Sequence, residues 1–107
     1  MAINKTSIFL ALQSALLGEV YEGIRAIAFK YNPDTKYFKL RYYLNRKPTE
    51  DDNNSIGNVM AEFISNFKHT EFDKIDEECI YFQKPISELD PMDGIVFCRK
   101  ENEIQPD

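Results

Sequence analysis

The strongest constraint on the fold is an amphipathic repeat in the middle of the chain. Six apolar residues recur there at helical spacing, namely Ile56, Val59, Met60, Phe63, Ile64 and Phe67. Apolar residues at i, i+3, i+4 and i+7 form one face of an α-helix that packs against a core. Thr49 can cap this helix, and the carboxylates that follow it suit the positive end of the helix dipole. We therefore predict a helix over residues 49–67, with its most stable part beginning near Ser55.

Four further segments have the alternating or strongly apolar pattern of β-strands. Residues 24–31 and 37–44 flank the turn sequence Asn32-Pro33-Asp34-Thr35, which predicts a β-hairpin. Residues 73–82 and 94–99 predict two more strands, and we expect these to form a second hairpin. One face of the second strand is expected to be exposed to solvent. That face carries Tyr37, Lys39, Arg41 and Tyr43.

An apolar stretch near the N-terminus predicts another helix, over residues 7–17. Thr6 or Ser7 can cap it, Gly18 can end it, and its composition predicts that it is largely buried. The stretch is too short to span a bilayer, and we interpret it as a core helix rather than a cleaved signal. Because no lipidation motif or polybasic segment is present, we predict a cytoplasmic protein that binds no membrane.

These elements together predict an α+β fold, with an antiparallel four-stranded sheet and two helices in the order α-β-β-α-β-β. A chain of 107 residues is about one domain. We assign residues 1–100 to a single α+β domain and residues 101–107 to a flexible polar tail. Cys79 and Cys98 are too few for a disulfide framework, and we interpret them as reduced thiols, although their pairing stays open.

Charge is distributed unevenly along the chain, whose net value is −5. Residues 1–48 carry eight Lys or Arg against three Asp or Glu, whereas residues 49–107 carry five against fifteen. Nucleic-acid binding needs clustered cations, so we predict no direct contact with nucleic acid. A sheet face with tyrosines and cations can stack bases, but the glycine–aromatic signature of RNA-recognition sheets is missing. The acidic part would instead attract a basic protein and speed its encounter.

Residue patterns that support catalysis or metal binding are not found in the sequence. His69 is the single histidine, and we interpret it as a cation at the end of a helix rather than a catalytic base. No Cys/His pairing suggests zinc, and no nucleotide- or calcium-binding motif occurs. We therefore predict that the protein is not an enzyme and needs no cofactor or metal.

Two acidic runs, Glu50-Asp51-Asp52 and Asp76-Glu77-Glu78, leave several interpretations open. They can be solvated surface, or a patch that binds a protein partner. Carboxylates that converge can also hold Mg²⁺ or carry out glycoside chemistry, so a small α+β enzyme or a nucleotide- or metal-binding domain is the alternative. A homodimer formed through an edge strand or the tyrosine face is a third hypothesis.

If the acidic residues bind a partner, the candidate contacts form one set of carboxylates with two aromatic anchors. The carboxylates are Glu50, Asp51, Asp52, Asp73, Asp76, Glu77, Glu78, Glu88, Asp90 and Asp93. Tyr37 and Tyr43 are the possible anchors, because tight protein interfaces are usually centred on a few buried aromatic side chains.

Residues 24–67 resemble the immunity proteins of bacterial contact-dependent growth inhibition systems. The resemblance lies in the tyrosine-rich strand Tyr37-Phe38-Lys39-Leu40-Arg41-Tyr42-Tyr43-Leu44, the segment Arg46-Lys47-Pro48-Thr49-Glu50-Asp51-Asp52 and the amphipathic helix that follows. It implies a small, acidic, cytoplasmic protein that binds one cognate toxin domain and covers its active site. Such toxins are commonly nucleases that attack tRNA. The resemblance carries no motif, so it assigns no functional residue.

Overall fold

Two helices and four strands follow one another in the part of the chain that the structure describes. The structure is a computed structural model, and it describes residues 4–101 apart from the side chain of His69. The elements are α1 (Lys5–Ala15), β1 (Ile24–Asn32), β2 (Tyr37–Leu44), α2 (Glu50–Ile64), a 3-10 helix (His69–Glu71), β3 (Lys74–Tyr81), a second 3-10 helix (Ile86–Glu88) and β4 (Gly94–Cys98). The α+β content of two helices and four strands is confirmed.

The four strands form one sheet in the order β3-β2-β1-β4. β1 is antiparallel to both β2 and β4, whereas β2 is parallel to β3, so the sheet is mixed and the predicted antiparallel sheet is wrong. The reason is that α2 connects β2 to β3, and a helical crossover of this kind joins parallel strands. The second predicted hairpin does not form, because residues 82–93 carry the chain from one sheet edge to the other. The element order also differs from the predicted one, since the two 3-10 helices interrupt it.

The main core lies between the two helices and one face of the sheet. Its largest buried side chains include Phe29, Phe38, Leu40, Tyr42 and Phe63. The rings of Phe38 and Phe63 stack with their centroids 4.6 Å apart, which ties β2 to α2. The predicted apolar faces of α2 and β2 are therefore confirmed. Phe9 and Leu10 of α1 stay 39% and 63% exposed, so the prediction that this helix is largely buried is wrong for those two residues.

The N-terminus of α1 lies two residues before the predicted position, at Lys5. Asn4, rather than Thr6 or Ser7, caps the helix: its side chain accepts a hydrogen bond from the Ser7 amide at 2.8 Å. The Ser7 hydroxyl in turn accepts one from the Asn4 amide at 3.1 Å. This reciprocal capping box satisfies two amides that the first turn of a helix leaves without partners.

A second, smaller core covers part of the other sheet face. The connection between β3 and β4 folds back over that face with Phe82, Ile86, Leu89 and Met92. They pack on Ala26, Ala28, Tyr43, Ile80 and Ile95. Tyr43 is consequently only 1% exposed, so its predicted exposure is wrong. The rest of that face stays half-exposed.

Glu101, assigned above to the flexible tail, is fixed to β1 by the guanidinium of Arg25. Two hydrogen bonds of 2.6 and 2.8 Å join these side chains, and Arg99 donates to the same carboxylate at 2.9 Å. Arg25 also donates to the carbonyl oxygens of Phe82 and Lys84, each at 2.7 Å. The ordered fold therefore includes Glu101, while residues 102–107 of the expected tail lie outside the described residues.

Candidate interaction surface

Helix α2 and strand β3 lie side by side and run in opposite directions. Near the start of α2, the Asp52 carbonyl oxygen lies 3.8 Å from the Sγ of Cys79. In its middle, a Cβ placed on Gly57 would lie 3.6 Å from a Glu77 carboxylate oxygen. Near its end, Ile64 lines the same small cavity as Ile75. The first turn of α2 is therefore close to the C-terminal end of β3.

This arrangement places six of the predicted carboxylates along the β3 side of the sheet, where Glu77 lies beside α2 and where Asp76 and Glu78 project to the sheet face away from the helices. We call this region the acidic surface, and its members are Glu50, Asp51, Asp73, Asp76, Glu77 and Glu78. Glu50, Asp51, Asp73 and Glu77 are exposed. Among residues 4–101, no ion pair within 4.0 Å involves any of these four side chains. They are therefore available to meet the cations of another molecule.

Asp76 and Glu78 are instead half-buried and bound to side chains of β2. The hydroxyl of Tyr37 donates to Asp76 at 2.7 Å, and this bond raises the pKa of Tyr37. Glu78 forms ion pairs with Arg41 and, at 3.3 Å, with Lys39. Burial raises the pKa of Glu78, but the hydrogen bonds from Arg41 and Lys39 outweigh it, so the net shift is downward. These two carboxylates hold β3 against β2 and contribute less free charge than the four exposed ones.

Two more predicted carboxylates, Asp90 and Asp93, lie beside an open groove on the sheet face away from the helices, the face to which Asp76 and Glu78 also project. The groove has a volume of about 370 Å³ and is lined by Lys30, Tyr37, Lys39, Arg41, Asp90, Met92 and Asp93. Asp93 accepts a hydrogen bond from the Tyr31 amide at 2.7 Å, and Asp90 accepts one from the Met92 amide at 2.8 Å. Both side chains therefore brace the connection over the sheet. Glu88 is exposed on the same connection.

Asp52 does not belong to any exposed surface, because it is only 1% exposed. Its carboxylate accepts two hydrogen bonds from Arg46, at 2.6 and 3.0 Å, and one from the Thr49 amide at 2.8 Å. The hydroxyl of Tyr21 donates to it at 2.5 Å. The Arg46 guanidinium holds the pKa of Asp52 well below its usual range; burial opposes this shift, and Tyr21 and Thr49 add to it. Asp52 therefore fastens the start of α2 to the sheet, and its prediction as a partner contact is corrected.

Tyr43 is likewise removed from the candidate contacts. Its hydroxyl donates to the Asp90 carbonyl oxygen at 2.6 Å and accepts from Arg41 at 3.0 Å. Its ring packs edge-on against Phe82, with centroids 5.3 Å apart. Tyr37 is half-buried at the rim of the groove and stays a candidate anchor.

The sequence did not reveal Tyr21 and Arg46 as partners of Asp52: Tyr21 donates a hydrogen bond to its carboxylate, and Arg46 pairs with its charge. The spacing Thr49-x-x-Asp52 carried part of the signal, since a capping residue followed three positions later by an acceptor is typical of a helix N-terminus. Nothing local indicates that Tyr21, which precedes β1, reaches the same carboxylate.

The chemistry of this arrangement is that of a binding surface. Among residues 4–101, no group of three or more His, Cys, Asp or Glu side chains is placed to hold a metal ion. Within the same residues, no helix has the length and apolar character needed to cross a bilayer. The acidic surface offers exposed carboxylates and the edge of a β-strand, and both suit a protein partner.

Fold and surface thus define a small α+β binding domain with an acidic sheet edge. Residues 5–101 match the family model of the MafI2 immunity protein, and the chain belongs to that family. No curated protein matches the chain. The family implies a toxin-neutralising immunity function with a toxin protein as the partner, which confirms the broader part of the resemblance described above.

Proposed function

We propose that this protein neutralises one cognate toxin domain by covering its active site with the acidic surface. The match to the MafI2 immunity protein family over residues 5–101 supports the inhibitory role. The observation that carries the choice of surface is a set of exposed carboxylates that form no ion pair with any described residue, namely Glu50, Asp51, Asp73 and Glu77. In this proposal the protein acts by stoichiometric binding and catalyses no reaction.

The charge of the surface indicates a basic toxin domain, and a nuclease fits best. Nucleases hold the phosphates of their substrate with cationic side chains. Carboxylates that reach those cations occupy the field that would otherwise hold nucleic acid, so they compete with the substrate directly. We therefore propose a toxin that attacks RNA, with tRNA as the favoured substrate. Delivery by contact-dependent growth inhibition and a cytoplasmic location for this protein complete the proposal.

Charge reversal on the acidic surface tests this proposal without disturbing the fold. The variant Asp73→Lys/Glu77→Lys changes two exposed side chains and leaves the buried Asp52 and the first turn of α2 intact. The matched control, Glu22→Lys/Asp34→Lys, changes two exposed carboxylates in the turns on either side of β1. The partner is the cognate toxin domain, and the measurement is its association rate at low and high salt.

We expect the Asp73→Lys/Glu77→Lys variant to associate about ten-fold more slowly at low salt, because electrostatic steering accelerates encounter by that factor or more. The difference from the control should shrink at high salt, since ions screen exposed charges. A parallel assay should show weaker protection of the toxin's RNA substrate. Equal association rates for the variant and the control at low salt would rule out the acidic surface as the steering site.

A further inference from the structure

Within residues 4–101, one side of the β3 backbone has no strand neighbour. The amides of Lys74 and Phe82 donate to the carbonyl oxygens of Lys36 and Leu44, at 3.4 and 3.0 Å. Within a strand, the amide and carbonyl of one residue point to the same side and those of the next point to the opposite side. The even-numbered residues of β3 therefore face β2. The odd-numbered ones, Ile75, Glu77, Cys79 and Tyr81, direct their backbone groups away from the sheet, and we call this row the open edge.

On the opposite side of the sheet, α1 contacts β4, and we call this side the closed edge. The side-chain amide of Gln13, in α1, donates to the Val96 carbonyl oxygen of β4 at 2.6 Å. Just before β4 begins, the backbone amide of Asp93 donates to the Phe29 carbonyl oxygen of β1 at 2.8 Å. The Asp93 carboxylate accepts a hydrogen bond from the backbone amide of Tyr31. Within residues 4–101, β3 is the outermost strand on the other side and has β2 as its strand neighbour.

Apolar side chains accompany the open edge on the helix side of the sheet. Ile75 and Tyr81, at the two ends of the strand, are 40% and 41% exposed. A cavity of about 160 Å³ lies beside Ile75, between Ile64 and Phe72. A strand laid along β3 would cover both exposed side chains and could place an apolar residue in this cavity. Added strands gain affinity from main-chain bonds and specificity from such pockets.

The charge of the added strand distinguishes between two candidates for the open edge, a second copy of β3 and a basic segment of another protein. A second copy of β3 that paired at Glu77 would bring two exposed carboxylates close together, and like charges on paired strands repel. An extended segment with Lys or Arg residues would instead pair with the Glu77 carboxylate. We propose that a basic, extended segment of the toxin domain adds to β3 as a fifth strand, with main-chain hydrogen bonds to Ile75, Glu77 and Cys79. This inference rests on the proposed function and specifies how the partner docks.

Amide hydrogen exchange tests strand addition residue by residue. In the free protein, the amides of Ile75, Glu77 and Cys79 should exchange much faster than those of Asp76 and Glu78, which face β2. In the complex with the toxin domain, we expect the odd-numbered amides to become at least ten-fold slower, which would remove the alternation. If the odd-numbered amides exchange as in the free protein while the toxin is bound and inhibited, strand addition is wrong and the immunity function stands.

Two substitutions at one position separate the main-chain bond from the charge. Glu77→Gln removes the carboxylate, whereas Glu77→Pro removes the carboxylate and the outward amide; proline is tolerated at edge positions whose amide faces solvent. We expect Glu77→Pro to bind the toxin domain at least ten-fold more weakly than Glu77→Gln. Equal affinities of two folded variants would overturn the proposal, and if Glu77→Pro does not fold, the exchange experiment decides. Protection of these amides in concentrated protein without toxin would identify a second copy as the occupant and also overturn it.

Discussion

The two edges of the sheet differ in how their backbone groups are satisfied. At the closed edge, Gln13 and Asp93 supply side-chain partners to β4 and to the end of β1. At the open edge, β3 keeps its outward backbone groups, and its exposed charged side chains are Lys74 and Glu77. Exposed strand edges are a risk for aggregation, and charged residues are one way in which proteins limit it. The difference is consistent with our proposal that a partner docks at the open edge, while the closed side stabilises the fold.

Stability on the closed side depends most on the buried guanidinium of Arg25. This residue is 8% exposed and lies at a β-bulge of β1, where the pairing register shifts between Ile24 and Ala26. The bulge lets Arg25 reach the carboxylate of Glu101 and the carbonyl oxygens of Phe82 and Lys84. It therefore holds both the connection over the sheet and the segment that follows β4.

The largest effect that we expect comes from Arg25→Met. The variant leaves the Phe82 and Lys84 carbonyl oxygens without this donor and leaves Arg99 as the remaining cation beside Glu101. Breaking a buried pair in this way costs about 3 kcal/mol of unfolding free energy. Lys30→Met, an exposed substitution on the same strand, should change it by less than about 0.5 kcal/mol. Urea denaturation of both variants measures the difference. A similar small loss for both would mean that the closed side is not the stabilising one.

Acid should weaken the closed side through Glu101. The hydrogen bonds from Arg25 lower the pKa of Glu101 from 4.5 to about 2, against burial and with the help of Arg99. A carboxylate whose pKa is lower in the folded state stabilises the fold above its unfolded pKa, and this contribution is lost as the pH falls. The loss should begin near pH 4.5 and be complete near pH 2.

The variant Glu101→Gln isolates this contribution. Its unfolding free energy should fall less steeply between pH 5 and pH 2 than that of the parent chain, and Asp52, whose pKa is also lowered, should account for much of the slope that is left. Glu22→Gln is the control, because Glu22 is exposed. The measurement is urea denaturation at several pH values. A parent chain and a Glu101→Gln variant with the same slope would contradict the assigned role of Glu101.

Local periodicity was enough to predict the elements that face the main core. The repeat from Ile56 to Phe63 gives α2 its buried face, and the alternation in β2 places Phe38, Leu40 and Tyr42 beneath the helices. Such patterns depend on neighbours within one turn or one strand, so a sequence shows them directly. The Thr49 cap is of the same kind and is confirmed.

Pairing between distant strands was not predictable by that reasoning. The sequence order of β3 and β4 suggested a hairpin, whereas the helix between β2 and β3 was the better signal, because it permits a parallel pair. Tyr43 was misplaced for a related reason. Its cover, which includes Phe82 and Leu89, comes from a connection that carries no regular pattern of its own.

The sequence identified the candidate carboxylates, but it did not show which of them are exposed or where they lie on the fold. Glu77 and Asp73 were identified as candidates from charge alone, and both are exposed near the open edge. Asp52 belongs to the same acidic run as Glu50, yet its side chain is buried and forms an ion pair with Arg46, six positions earlier in the chain. A run of like charges shows what a surface can attract, but only the fold shows which members remain free.

The smallest effect that we expect comes from Gln13→Ala at the closed edge. Val96 is the extra residue of a bulge in β4, is 6% exposed, and receives the Gln13 hydrogen bond on its carbonyl oxygen. Removing that donor should lower the unfolding free energy by about 1 kcal/mol, the usual contribution of one hydrogen bond. Gln83→Ala is the matched control, because Gln83 is exposed and, among the described residues, its side chain makes no hydrogen bond that would be lost.

The same Gln13→Ala variant also tests whether the two edges are functionally separate. If the toxin domain docks on the open edge, its association rate and affinity for Gln13→Ala should equal those for the parent chain, since α1 and β4 lie on the far side of the sheet. Binding measured alongside urea denaturation gives both quantities from one protein. A variant that binds the toxin domain more weakly, while losing no more than the stability expected, would place the partner on the closed edge and reverse the assignment of the two sides.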